Sequence, residues 1–206
     1  MLPCRGWAIG GLALLNAALL VLARMFPTFP GDRQLLLAVQ GWRTETLDTV
    51  ALAASQVGWW PVSAALVGLL SGGLLLRGHR RDALVAVLIP VPVAAGLGLK
   101  LLVQRPRPEF LLIGPEIAGS SFPSGHALFA ALLGGVLVLL VEDWVRPWWL
   151  RRALQGAAVL MALVVGASRV YLGAHWPSDV LGGYLAGALA LVGLMWLRER
   201  LPTGGA

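Results

Sequence analysis

One cysteine, Cys4, stands in 206 residues, so no disulfide can close within the chain and cysteine offers no redox framework. Charge is scarce as well. Only 13 % of the residues are Asp, Glu, Lys or Arg, against roughly 25 % in a soluble domain. Acids are the scarcer sign, ten against sixteen Lys and Arg, which leaves a net charge of +6. In a soluble protein that excess would suggest a nucleic-acid surface. Here the arginines fall in short gaps between apolar blocks, where they act as topology signals, so no nucleic acid is expected as a partner. The blocks show no strict alternation of apolar and polar residues, which excludes membrane β-strands. Tandem repeats and low-complexity tracts are missing too.

What is there is hydrophobic: 58 % of the residues, with a mean hydropathy of +0.78. These residues gather in six blocks, at 7–26, 57–76, 83–103, 124–141, 153–170 and 177–197. Their lengths suit helices that cross a bilayer. The expectation is an all-α polytopic membrane protein, a six-helix bundle forming a single membrane domain over residues 1–206. Pro90 and Pro92 predict a kink in the third block. Trp7, Trp59, Trp60, Trp148, Trp149 and Trp176 flank blocks and fit an interfacial belt. The first block reads as a span and not a cleaved leader, because no small-residue cleavage site follows it. Residues 27–56 open on a Pro/Gly turn and continue through Asp32–Gln40 as a mixed polar and apolar segment. That pattern favours a helix lying in the interface, apart from any chemistry.

Counting cations sets the orientation. Alternate gaps hold Arg5, Arg77, Arg80, Arg81, Arg146, Arg151, Arg152, Arg198 and Arg200 on one side. The other side holds Arg24, Arg33, Arg43, Lys100, Arg105, Arg107 and Arg169. The richer set is expected on the cytoplasmic side, with both termini. Helix parity then puts the end of the third span, the start of the fourth, the end of the fifth and the start of the sixth on one outer face. Those four helix ends carry Lys100 and Arg107, Pro123-Ser124-Gly125-His126, Ser168-Arg169, and His175 with Asp179.

Three cations on one face call for a polyvalent anion. Arginine's planar fork matches phosphate oxygens and lysine adds a point charge. Ser124 and Gly125 open a helix, whose free N–H groups and dipole favour a bound anion. Asp179 lies four residues after His175, on the same helical face, where a carboxylate can fix the imidazole tautomer. His175 is therefore expected as an oriented nucleophile and His126 as general acid for the leaving oxygen. His79, in a basic cytoplasmic gap, is expected to be merely solvated. A divalent metal is not expected among two histidines, one aspartate and three cations. The pairs Gly68/Gly72 and Gly183/Gly187 have helix-contact spacing, which chance alone also supplies in a chain with 26 glycines.

The motifs Lys100-x6-Arg107-Pro108, Pro123-Ser124-Gly125-His126 and Ser168-Arg169-x5-His175-x3-Asp179 resemble, without a departure, the three-part signature of the type 2 phosphatidic acid phosphatase (PAP2) superfamily. The motif region spans 100–179. The resemblance implies that His175 forms a phosphohistidine, that Asp179 orients it, and that His126 protonates the leaving group. It implies phosphoryl binding by Lys100, Arg107, Ser124, Gly125 and Arg169, with no metal or other cofactor. Soluble haloperoxidases share the signature, but six apolar blocks point to the membrane branch. There the implied partner is a lipid phosphate in the bilayer, of undecaprenyl diphosphate, phosphatidylglycerol phosphate or phosphatidate type. The implied place is the outer face of a bacterial inner membrane. A phosphotransferase using the same intermediate, or a non-catalytic lipid transporter, stays open at this point. The apolar loop Glu109-Phe110-Leu111-Leu112-Ile113 is expected in the headgroup layer, lining lipid entry.

Overall fold

The computed structural model describes residues 2–109, 112–115 and 118–201, and among these every regular element is a helix. In chain order they are α1 (Leu2–Met25), α2 (Asp32–Gln40), α3 (Glu45–Gln56), α4 (Trp60–Leu76) and α5 (Arg80–Val87). Then come α6 (Pro90–Val103), α7 (Gly125–Trp144), α8 (Trp148–Tyr171) and α9 (Pro177–Arg200).

Prolines punctuate this order where the helix chemistry tolerates them. Pro61, Pro90 and Pro177 sit in the first turns of α4, α6 and α9, where a missing N–H leaves no helical bond unmade. The kink expected at Pro90 and Pro92 is a break between α5 and α6, which together form a 24-residue apolar span. That pair, α7, α8 and α9 are long and apolar enough to cross a membrane. The helices α3 and α4, bent by 54°, make a fifth crossing if they act as one span, and the apolar stretch Ile9–Met25 of α1 is shorter. Length and composition thus support four to five crossings among the described residues, against the six expected.

At the centre stands α7, packed on α6, α8 and α9. It buries Leu128, Phe129, Leu132, Leu133 and Val136. Close approach to α9 depends on Gly183 and Gly187. A Cβ there would sit 2.5 Å from the Ser124 carbonyl oxygen and 2.9 Å from that of Leu128. The spacing left open in the sequence is a true contact at this pair, whereas Gly68 and Gly72 face open space. Outward faces carry exposed Leu69, Leu101, Leu102 and Leu160, an apolar exterior suited to lipid.

Two expectations need correction. Trp176 does not belong to the interfacial belt: it is buried, and its indole N–H donates to the Pro106 carbonyl at 3.0 Å. The belt reading fits Trp7, Trp59, Trp60, Trp148 and Trp149, all exposed. Residues 27–56 do not hold a single helix either. They form two helices, α2 packed on α8 and α9, and α3 packed on α8. The Tyr171 hydroxyl donates to Asp48 Oδ1 at 2.7 Å and the Gln40 amide to the Tyr171 carbonyl at 3.1 Å. Leu36 is fully buried, and so, more unusually, is Asp32. At the opposite end of the bundle, Arg198 joins Asp82 of α5 to Asp143 of α7 at 2.6 and 2.7 Å. His79, exposed there, also stacks on Trp144 with ring centroids 3.9 Å apart.

Candidate active site

Four helix ends build the site. Lys100 is in the last turn of α6 and Arg169 in the last turn of α8. Ser124 caps α7, with its Oγ 3.5 Å from the Ala127 N–H, and Gly125 and His126 follow in the first turn. His175 lies in the short loop between α8 and α9, and Asp179 in the first turn of α9. The structure brings Lys100, Arg107, Gly125, His126, Arg169 and His175 around one cleft of about 690 Å³. Ser124 and Asp179 are fully buried, and the Ser124 N–H donates to the Asp179 carbonyl at 3.0 Å.

Lys100 and Arg107 are held by main chain. Lys100 Nζ donates to the Ser120 carbonyl at 2.9 Å, and Arg107 Nε and Nη2 donate to the carbonyls of Gly119 and Ser120 at 3.1 and 3.2 Å. Arg107 Nη1 donates to the Ala174 carbonyl at 2.7 Å and lies 3.4 Å from His175 Nε2. Arg169 Nη1 bonds Ser55 Oγ of α3, while its Nε is buried without a hydrogen-bond partner. A Cβ on Gly125 would meet nothing within 4 Å, so the cleft has room against the start of α7. An anion there would meet the helix dipole and three cations together.

His175 is placed between opposite charges. Its Nδ1 is 3.5 Å from Asp179 Oδ2, and its Nε2 is on the Arg107 side. Burial, and then the charges of Lys100, Arg107 and Arg169, push its pKa well below the ordinary imidazole value. Neutral imidazole is the form with a lone pair to attack phosphorus. Burial also lowers the pKa of Arg107, an effect opposed by Asp179.

Four residues escaped the sequence reading. Arg105 is entirely buried: Nη1 meets Asp179 Oδ1 at 2.5 Å and Nη2 meets Asp32 Oδ2 at 2.8 Å. Ser55 pairs with Arg169, and Gly58 packs on His126, where a Cβ would fall 2.5 Å from the ring. Arg105 lies inside Arg105-Pro106-Arg107-Pro108, two residues from a motif arginine, and that adjacency was the available signal. Nothing local to Asp32, Ser55 or Gly58 announces them. Of the apolar loop, Phe110 and Leu111 lie outside the described residues. Leu112 and Ile113 are half-buried and Ile113 lines the cleft. Among the described residues no three His, Cys, Asp or Glu side chains converge as metal ligands.

Known proteins resemble this chain in sequence and fold. The PAP2 superfamily model covers residues 81–202. An undecaprenyl-diphosphatase of Sulfolobus acidocaldarius is 30 % identical over 69 % of this chain and 66 % of its own length. The phosphatidylglycerophosphatase B of Bacillus subtilis is 30 % identical over 71 % of this chain and 73 % of its own. The crystal structure of a transmembrane PAP2-type phosphatidylglycerolphosphate phosphatase from Bacillus subtilis superposes with a TM-score of 0.83. It covers 96 % of this chain and 98 % of its own, at 25 % identity. With the family model spanning more than half of its length, and its motif residues gathered at one cleft, the chain belongs to the PAP2 superfamily.

Proposed function

We propose that the protein is a membrane lipid phosphatase that hydrolyses a lipid phosphomonoester or diphosphate through a phosphohistidine on His175. The observation that carries this reading is the convergence of two histidines and three cations on one cleft of a PAP2-superfamily chain. Substrates of the undecaprenyl diphosphate, phosphatidylglycerol phosphate or phosphatidate type fit it, as the names of the relatives suggest.

Each side chain has a place in the reaction. Lys100, Arg107, Arg169, Ser124 and the Gly125 N–H bind the phosphoryl oxygens and stabilise their growing charge. His175 Nε2 attacks phosphorus, and the N–P bond forms as the bond to the leaving lipid oxygen breaks. Protonated His126 gives its proton to that oxygen. Water then attacks the phosphohistidine, passing a proton to His126, and inorganic phosphate departs as the N–P bond breaks. Asp179, at Nδ1, holds the ring and offsets its positive charge in the intermediate. The steps require no metal. The same reading sets six crossings in one domain, both termini in the cytoplasm, and the cleft at the outer face of a bacterial inner membrane. The loop segment at Leu112 and Ile113 lies in the headgroup layer at the lipid entrance, a reading supported by Ile113 lining the cleft.

Phosphate release from a panel of purified lipids, with and without EDTA, tests the reading. Release insensitive to EDTA is expected, and H175A should lower it at least about 10³-fold. Unchanged release by H175A would refute the phosphohistidine route. Inhibition by EDTA on every lipid would refute the metal-free steps. Serine at both Phe110 and Leu112 should slow lipid hydrolysis, and unchanged rates would remove the loop from lipid entry.

A further inference from the structure

We infer that Asp32, in α2, is a positioning residue for His175: it shares Arg105 with Asp179 and so leaves Asp179 a net negative charge to present to the imidazole. The inference rests on the phosphatase reading above.

The charges of the buried cluster decide its effect on His175. The side chains of Asp32, Arg105 and Asp179 are 3 %, 0 % and 0 % exposed. With two carboxylates and one guanidinium, the cluster carries one net negative charge. Arg105 facing Asp179 alone would form a neutral pair, and His175 would then face Lys100, Arg107 and Arg169 with nothing to oppose them. In so dry a place an unscreened charge acts strongly on its neighbours.

The division of oxygens fits the same role. Arg105 takes Oδ1 of Asp179, whereas Oδ2 receives the Trp176 N–H at 2.9 Å and faces His175 Nδ1. Arg105 thus occupies one carboxylate oxygen, and the other, which accepts the Trp176 N–H, lies 3.5 Å from His175 Nδ1, a buried nitrogen with no hydrogen-bond partner. Asp32 also fastens the turn that carries Asp179. Its Oδ1 accepts the Ser178 N–H at 2.9 Å, and its Oδ2 accepts the Ser178 hydroxyl at 2.6 Å and the Phe29 N–H at 2.9 Å. The Ser178 N–H is a first-turn donor of α9 with no helical acceptor, and a carboxylate is suited to satisfy it. Arg105 is itself held by the Pro27 carbonyl at 3.0 Å and lies over the Phe29 ring, 4.7 Å from its centroid.

Charged and titratable groups from every element around it either face His175 or stand behind it through Asp179. They are Asp32 from α2, Lys100 from α6, Arg105 and Arg107 from the following loop, His126 from α7, Arg169 from α8 and Asp179 from α9. Removing the Asp32 charge leaves this set more positive. The imidazole becomes harder to protonate, and the positive ring of the phosphohistidine becomes harder to form.

The test is phosphate release from dioctanoyl phosphatidate in detergent micelles by the full chain, across pH. D32N, D179N and the double variant are compared with wild type, with thermal midpoints measured alongside. D32N should lower kcat about 10- to 100-fold, by analogy with the loss of a carboxylate behind a metal-bound histidine, with KM changed less than about threefold. The acid limb of its kcat/KM profile should move to lower pH, since that limb reports the essential base of the free enzyme. On the D179N background, D32N should add less than about threefold, because both act through one path. Losses that multiply in the double variant, or a D32N profile matching wild type, overturn the inference. Should D32N not fold, D32E decides: a carboxylate displaced by one methylene shifts the acid limb if its charge acts on His175. An unmoved limb means a purely structural role. A wild-type chain releasing no phosphate from any lipid in the panel ends the phosphatase reading, and this inference with it.

Discussion

Both ends of the bundle tie three elements together with an arginine between two aspartates, yet the two clusters differ in kind. At the cleft, Arg105 is fully buried between Asp32 and Asp179. At the far end, the Arg198 side chain is 28 % exposed, with Asp82 at 8 % and Asp143 at 45 %. Water screens the second cluster, so each pair there contributes about 0–1 kcal/mol. The first is paired in a dry interior, where removing one partner strands the others at about 3–5 kcal/mol. A similar arrangement of charges is thus a loose clasp at one end and a fixed part of the site at the other.

The largest expected effect separates the ends directly. Arg105→Met should destabilise the protein by about 3–5 kcal/mol and abolish phosphate release, read from denaturant midpoints in detergent and from activity. Equal losses for Arg105→Met and Arg198→Met would erase the distinction. Next comes Gly58→Ala, whose Cβ would press on the His126 ring. A misplacement of that order is expected to slow release about 10²-fold, with a thermal midpoint close to wild type. A rate within twofold of wild type would mean that the α3–α4 elbow does not position His126.

The pH dependence should mark the cleft and not the far end. His175 is depressed in the folded protein by burial and by the neighbouring cations. In the unfolded chain it takes up a proton below about pH 6.5. Stability from this group is therefore intact above about 6.5 and falls as pH drops below it, by up to about 1.4 kcal/mol for each pH unit. H175Q should flatten that part of the stability profile, and a profile identical to wild type would contradict the burial of a neutral imidazole. The smallest effect is that of Arg198→Met itself: a loss of about 0–2 kcal/mol for its two pairs, with phosphate release unchanged. A tenfold loss of activity would show that the far clasp communicates with the cleft.

The cleft was legible to the extent that its residues sit in short motifs at helix ends. Lys100, Arg107, Ser124, Gly125, His126, Arg169, His175 and Asp179 could be gathered by counting crossings, because adjacent helix ends share a face. Arg105 was visible only as one more flanking cation, since its partners lie far away along the chain. Asp32 stood in a stretch whose mixed polarity suggested a helix on the membrane surface. Folding turns that helix over the junction of α8 and α9, and no local periodicity encodes such a turn. Trp176 was misplaced for a related reason: a tryptophan beside an apolar block suggests an interface unless a buried acceptor, here the Pro106 carbonyl, is known.

Arg105 lies 73 residues after one of its carboxylates and 74 residues before the other. The cluster therefore joins the early, middle and late parts of the chain, and it can close only after α9 has taken its place. A nascent or truncated protein lacking α9 would hold Lys100, Arg107, His126 and His175 without the Asp179 carboxylate that faces the imidazole. Completion of the buried charge cluster is thereby tied to the last helix of the chain.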